Sequence, residues 1–233
     1  MFRDDEIINI SDHETLQFQV IDWYSFDFEE ENENDQEIRK YIIKIFGVTS
    51  LGHSVCIDVT DFKPYFYITC DEKSDVTFTE MMEILSKVKT KLPRQFHKCV
   101  TISKEYKKNI WGFTNNQKIQ YLKFEFTNIS TFYIVKKFLT KQMNIFGTKT
   151  NFKFYESNIE PFIRFIHERN IQPGGWIEID DHEEQVYFES KCQINRSCNW
   201  ESVRPIEKNA IAPFVILSFD IECTSSHGDF PVA

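Results

Sequence analysis

A chain of 233 residues, 41 % apolar and 15 % aromatic, can form one large domain or one domain with a piece of another. Its core should be rich in phenylalanine, which occurs 23 times. No apolar run approaches the roughly 20 residues of a membrane span, and the acidic opening "MFRDDEIINISDHE" is unlike a signal peptide, so a soluble intracellular protein is expected.

Six scattered cysteines lack a Cys-x-x-Cys pair and the six histidines are dispersed, which argues against a zinc site and for reduced, mostly buried thiols. The net charge of −9 conceals an asymmetry. Between Lys87 and Lys153 stand 15 Lys and Arg against only Glu105 and Glu125, whereas the flanking segments are acidic. A basic block of that length is a candidate polyanion footprint; the alternative is a solvated lysine-rich surface.

In chain order, "TLQFQVIDWYSF" and "YIIKIFGVT" read as strands around an exposed acidic loop, Phe28–Glu37. "GHSVCIDVTDFKPYFYITC" reads as two strands around a turn at Asp61–Pro64, with Pro64 at a strand start. "TFTEMMEILSKVKTKL" predicts a helix opened by a Thr77–Glu80 capping box. Its apolar face is expected to hold Phe78, Met81, Met82, Leu85, Val88 and Leu92.

Strands are expected at "HKCVTISKEY" and "IQYLKFEFTN", where Leu122, Phe124 and Phe126 alternate with Lys123 and Glu125. A helix over "STFYIVKKFLTKQM" and a strand at "FKFYES" follow. The order from Pro64 to Ser157, strand–helix–strand–strand–helix–strand, is that of a ferredoxin-like module of the RNA-recognition kind. Beyond it come a short helix with Phe162, Ile163 and Ile166 inward, strands at "PGGWIEI" and "QVYFESKCQI", and a linker, "NRSCNWESVRPIEKNAIAP".

The run "FVILSFDIECT" predicts a buried strand carrying Asp220 and Glu222 on one face. Two such carboxylates repel each other unless protonated or bridged by a cation, and hard divalent ions take oxygen ligands of this kind.

"LSFDIEC", with "IAP" upstream and "GDFP" downstream, resembles the first exonuclease motif of family B DNA polymerases, the delta-type enzymes of eukaryotes and large DNA viruses in particular. "YESNIEPFIRFIHERNI" with Trp176, "GVTSLGHSVCIDVTDFKPYFY" and "KKNIWGF" resemble their amino-terminal region, in order and spacing from about Ile43 to Ala233. The resemblance implies an α+β amino-terminal domain with a ferredoxin-like module, then the first strand of a ribonuclease-H-like 3′–5′ exonuclease domain. It implies four stretches: 1–62, β-rich with the acidic loop; 63–157, the basic module; 158–212, a return segment and linker; and 213–233, the start of the exonuclease domain.

By that resemblance Asp220 would contact both Mg²⁺ ions of a two-metal site and Glu222 one. DNA, the rest of the polymerase and a sliding clamp would be partners at the site of DNA replication, in a host nucleus or a cytoplasmic viral site. The later exonuclease motifs and the polymerase palm, fingers and thumb do not occur, so the chain is read as the front of a polymerase, inactive by itself. Lys104, Lys107 and Lys108 beside Trp111 and Phe113 are expected to contact single-stranded template, burial being the alternative for the two aromatics. Two other readings are a freestanding single-stranded nucleic-acid-binding protein and a ribonuclease-H-like nuclease unconnected to a polymerase.

Overall fold

A computed structural model describes residues 7–8, 10–12, 14–31, 37–70, 75–109, 115–145, 147–184 and 190–220. The first half carries β1 (Leu16–Glu31), β2 (Glu37–Thr49), β3 (Ser54–Thr60), β4 (Tyr65–Cys70), α1 (Phe78–Lys89), β5 (Val100–Lys108) and β6 (Lys118–Phe126). Then follow α2 (Ile129–Leu139), β7 (Met143–Ile145), β8 (Thr148–Thr150), β9 (Phe152–Tyr155) and α3 (Pro161–Glu168). The described residues close with β10 (Trp176–Ile179), β11 (Glu183–Glu184), β12 (Ile194–Asn199) and β13 (Val203–Ile206).

The larger sheet has the order β11-β12-β3-β2-β1-β10-β13 and is antiparallel except where β12 runs parallel to β3. One face gathers Phe18, Ile43, Ile45, Ile57, Val59, Ile177 and Ile179, and α3 covers it with Phe165 and Ile166. The strands thus alternate as the sequence does, apolar side chains inward at every second position. Gly47 pairs with Val20 beside a register shift in β1, and a Cβ there would lie 2.2 Å from the Phe18 ring and 2.6 Å from the Gln19 carbonyl. The close approach of backbone to ring requires glycine.

The smaller sheet has the order β5-β6-β4-β9, antiparallel throughout, with β7 and β8 as a separate hairpin. Phe66, Ile68, Leu122, Phe124 and Phe126 pack from it against Met81, Ile84, Leu85 and Val88 of α1 and Phe132, Val135 and Leu139 of α2. Phe66 is the hub, its ring meeting those of Phe124, Phe126, Phe132 and Phe154 with centroids 5.2–5.7 Å away. Such pairs each add about 0.5–1.5 kcal/mol beyond area burial.

Several expectations need correction. The acidic loop is shorter than 28–37, because Phe28–Glu31 extend β1 and pair with Glu37–Lys40, Glu29 meeting Arg39 at 2.9 Å. The capping box of α1 is present, the Thr77 hydroxyl accepting from the Glu80 amide and the Glu80 carboxylate from the Thr77 amide. The buried face, however, is Met81, Ile84, Leu85 and Val88, while Phe78 and Met82 are exposed. At 100° per residue, Ile84 completes the stripe that Phe78 and Met82 flank. In α3 the fully buried residue is Phe165, and Phe162 and Ile163 are only half-buried.

The expected linker contains β12 and β13, two paired strands. Pro205 is tolerated because β13 is an edge strand. The polar look of β12 comes from Arg196, which is buried: its guanidinium donates to Asp12 (2.6 Å), to the Ile10 carbonyl and to His182 Nδ1 (3.1 Å), and His182 Nε2 lies 2.8 Å from the Glu14 carbonyl. Of the strand expected over 185–194, residues 185–189 lie outside the described set and 190–193 form no strand.

Candidate nucleic-acid interface and exonuclease segment

Strand alternation divides the expected DNA contacts between two faces of the smaller sheet. Lys104 and Lys108 stand on the side that carries the helices, Lys104 Nζ donating to the Val76 carbonyl and Lys108 Nζ to Asn116 Oδ1 at 3.1 Å. Lys107 points to the open face. The structure therefore does not bring the three lysines into one cluster. Trp111 and Phe113 lie outside the described residues.

The open face carries a feature that composition did not disclose. Tyr65, Tyr67, Tyr121 and Tyr155 form a chain of edge-to-face contacts with centroids 5.0–6.1 Å apart. The signal was the alternation in "PYFYITC", which sends Tyr65 and Tyr67 away from Phe66 and Ile68. Such a tyrosine surface on a four-stranded sheet suggests base stacking, yet Tyr67 and Tyr121 are buried at 4 % and 5 % exposure.

Charged side chains roof them. Lys107 Nζ sits 4.1 Å from the Tyr67 ring centroid, Lys123 Nζ 4.3 Å and the Arg164 guanidinium 4.9 Å from that of Tyr65. Carboxylates neutralise those cations: Lys107 with Glu105 at 2.9 Å, Lys123 with Glu125 at 2.8 Å, Arg164 with Glu156 at 2.6 Å.

The electrostatics follow the geometry. Burial pushes the Tyr65 and Tyr67 hydroxyls well above the usual phenol range, reinforced by bonds to Glu168 and by the charge of Glu105 respectively. Burial also raises Tyr121. Partial burial acts upward on Glu105 too, but the hydrogen bond and charge of Lys107 and the charge of Lys123 outweigh it, leaving that carboxyl below its ordinary value. The face is a closed, charge-balanced layer of rings.

The second candidate site lies in the last described segment. Residues 207–220 form no strand, and Val215, Ile216, Leu217 and Phe219 are 75–86 % exposed. The expected buried strand is therefore absent among the described residues, for a physical reason: no strand of either sheet pairs with it, so its apolar side chains have nothing to pack on. Ala212 and half-buried Phe214 anchor its beginning beside Val48 and Trp176. The Ala212 amide donates to Gln19 Oε1 at 2.8 Å and Trp176 Nε1 to the Ala210 carbonyl at 2.6 Å. Asp220 is exposed, and Glu222 lies outside the described residues.

Among the described residues there is no group of three or more His, Cys, Asp or Glu side chains that could hold a metal ion. The described donor set does not by itself make up a two-metal site. No described helix is long and apolar enough to cross a membrane.

Comparison with known proteins places these features. Residues 152–233 match a family described as "DNA polymerase family B, exonuclease domain". The chain is 47 % identical over 233 residues to a DNA polymerase of Pyramimonas orientalis virus, covering 99 % of this chain and 19 % of that protein. It is 32 % identical over 204 residues to a DNA polymerase delta catalytic subunit of Oryza sativa subsp. japonica, covering 82 % of this chain and 18 % of that one. The solved family B DNA polymerase of the archaeon Pyrobaculum calidifontis shares the fold, with a TM-score of 0.52 at 15 % identity over 82 % of this chain and 21 % of that one. The chain spans about a fifth of the length of these relatives. On an α+β fold shared with such an enzyme and a match running through nearly all of its length, this chain belongs to the family B DNA polymerases.

Proposed function

We propose that this segment serves a replicative DNA-directed DNA polymerase with 3′–5′ proofreading activity, bracing the exonuclease domain and holding single-stranded template. The observation that carries the reading is the 47 % identity over 233 residues to a viral DNA polymerase. Relatives called delta catalytic subunits support the replicative assignment. A freestanding nucleic-acid-binding protein and an unconnected nuclease are not favoured by a match of this extent.

Within this reading the chain divides at 1–62, 63–157, 158–212 and 213–233. The order from β4 to β9 and the sheet order β5-β6-β4-β9 support a ferredoxin-like module for the second stretch. The segment after Pro213 begins the exonuclease domain and would become its first strand only with the rest of that domain's sheet beside it. Its four exposed apolar side chains support this, since burying each against a sheet contributes roughly 1.5–3 kcal/mol.

Asp220 and Glu222 are assigned as carboxylate ligands for the divalent metals that exonuclease domains of this family use, with Mg²⁺ as the ion. Lys104, Lys107, Lys108, Trp111 and Phe113 mark a contact with template near the β5–β6 connection. The rest of the polymerase, the primer 3′ end and a sliding clamp are the further partners, at the site of DNA replication.

Replacing Asp220 and Glu222 with alanine in the complete enzyme tests the assignment. Loss of 3′ trimming with primer extension intact is expected; unchanged trimming would remove both residues from the mechanism. The 233-residue chain alone should neither extend nor trim a primer in Mg²⁺ and nucleotides, and activity above a buffer control would overturn that.

A further inference from the structure

A cleft of about 510 Å³ opens between the two sheets, bounded by the start of β2, the β3–β4 connection, the turn before β5 and β11. Four cations line it, Arg39, Lys40, Lys63 and Lys98, against two acids, Asp61 and Glu183. Asp61 is turned aside: its carboxylate accepts from Asn199 Nδ2 at 3.2 Å and from the Thr60 hydroxyl at 3.3 Å. Lys63 and Lys98 are exposed, and neither has a carboxylate partner among the described residues. This sets the cleft apart from the open tyrosine face, where Lys107, Lys123 and Arg164 are each matched by a carboxylate. Arg39 is already paired with Glu29 at 2.9 Å, so the cations this recess offers a ligand are Lys63 and Lys98, and on a chain of net charge −9 such a local pair of cations attracts polyanions.

We infer that this cleft seats the phosphodiester backbone of single-stranded DNA, with Lys63 of the β3–β4 connection and Lys98 of the turn before β5 contacting phosphates. The inference rests on the proposal that the segment holds template strand and assigns that role a second surface, away from the β5–β6 connection. The cleft's volume falls in the roughly 300–1,000 Å³ of sites that take nucleotide-sized ligands. Its polar donors, including Gln95 and Thr127 beside the cations, suit phosphate and sugar oxygens. Its apolar lining, Tyr41, Ile42 and Phe62, is buried, and the Phe62 ring packs on Phe165 and Trp200, so the cleft offers charge without an exposed ring. Binding should accordingly be tolerant of sequence and strongly dependent on salt.

The test is fluorescence anisotropy of a labelled oligothymidylate titrated with the full 233-residue chain between 50 and 200 mM salt, salt values chosen at roughly the range where phosphate contacts dominate. The variant is Lys63→Glu/Lys98→Glu; the charge-matched control is Lys137→Glu/Lys141→Glu on the helical side. The cleft variant should lose at least about ten-fold in affinity and flatten the log–log salt slope by about 1.4, at roughly 0.7 per phosphate contact. The control should stay within about two-fold of the unmodified chain, since a shared change of net charge acts weakly at a distance. Equal losses in both variants, or unchanged binding by the cleft variant, would overturn the cleft while leaving the template-holding reading intact. Tighter binding of a duplex of the same length would overturn the single-strand assignment. No binding by the unmodified chain would sink that reading and this inference together.

Discussion

Lys44 of β2 and Asp58 of β3 face each other across the larger sheet and form an ion pair with side-chain exposures of 6 % and 0 %. The Lys44 ammonium also lies 3.6 Å from Cys56 Sγ. Exposed ion pairs contribute about 0–1 kcal/mol, but removing one partner of a buried pair leaves the other charge without compensation and costs about 3–5 kcal/mol. Asp58→Asn should therefore lose an amount in that range, about a fifth or more of the roughly 5–15 kcal/mol by which domains of ordinary size are stable. Lys44→Met should cost a comparable amount. If the loss comes from mutual compensation, the double variant Lys44→Met/Asp58→Asn will be less damaged than the sum of the singles, by a coupling of about 0.5–3 kcal/mol. Urea unfolding of the chain followed by circular dichroism reads all four corners of the cycle. A single-variant loss below about 1 kcal/mol, the range of a solvated pair, would refute the reasoning. Additive singles would show instead that each residue acts through other neighbours.

Gly47→Ala should destabilise by about 1–3 kcal/mol or more in the same urea assay, because its Cβ would fall 2.2 Å from the Phe18 ring and 2.6 Å from a backbone oxygen; a neutral result would mean that β1 shifts freely. Phe66→Ala should cost about 3–5 kcal/mol, since it removes the ring on which four others converge, and a loss under 2 would place the hub elsewhere. Glu105 is held below its ordinary value when folded, so its contribution is present above the unfolded carboxyl range near pH 4.3 and is lost as pH falls through the lower folded value. Stability of Glu105→Gln should therefore fall less between pH 5 and pH 3 than that of the unmodified chain, and parallel curves would contradict the assignment.

How far the chain could be read in advance depended on how local each signal was. Strands β4 and β6 and helix α1 were legible because their signals are periodic or lie three residues apart, as in Phe66/Ile68, Leu122/Phe124/Phe126 and the Thr77–Glu80 box. Strand β12 was not, because its buried Arg196 looks like a surface residue until Asp12 and His182, 184 and 14 positions away, are brought to it. The same holds for the cleft, whose cations come from before and within the basic block and meet only after folding. At the expected exonuclease segment the residues were legible and their setting was not. Alternation states which side chains share a face, but a strand exists only where a neighbour supplies hydrogen bonds, and none of the described strands reaches Val215–Phe219.

The larger sheet explains why the opening residues, which lie outside the stretch that matches the exonuclease-domain family, cannot be separated from that stretch. Strands β10 and β13 pair with each other, but β10 needs β1 on its other side and β12 needs β3. The residues matching the exonuclease-domain family, 152–233, thus contribute strands to both ends of the sheet, while its middle comes from residues 16–60. Closing a loop of that length costs entropy only logarithmically in chain length, whereas the shared core buries Phe18, Ile43, Ile45 and Ile57 from one part with Phe165, Ile177 and Ile179 from the other. The packing therefore outweighs the separation in sequence. Trp176 and Gln19, one from each part, then fix Ala210 and Ala212 by hydrogen bonds at the point where the chain leaves the sheet. The position from which "FVILSFDIEC" departs is set jointly by the start and the end of the chain, so a distortion of β1 at Gln19 would be felt at the approach to Asp220.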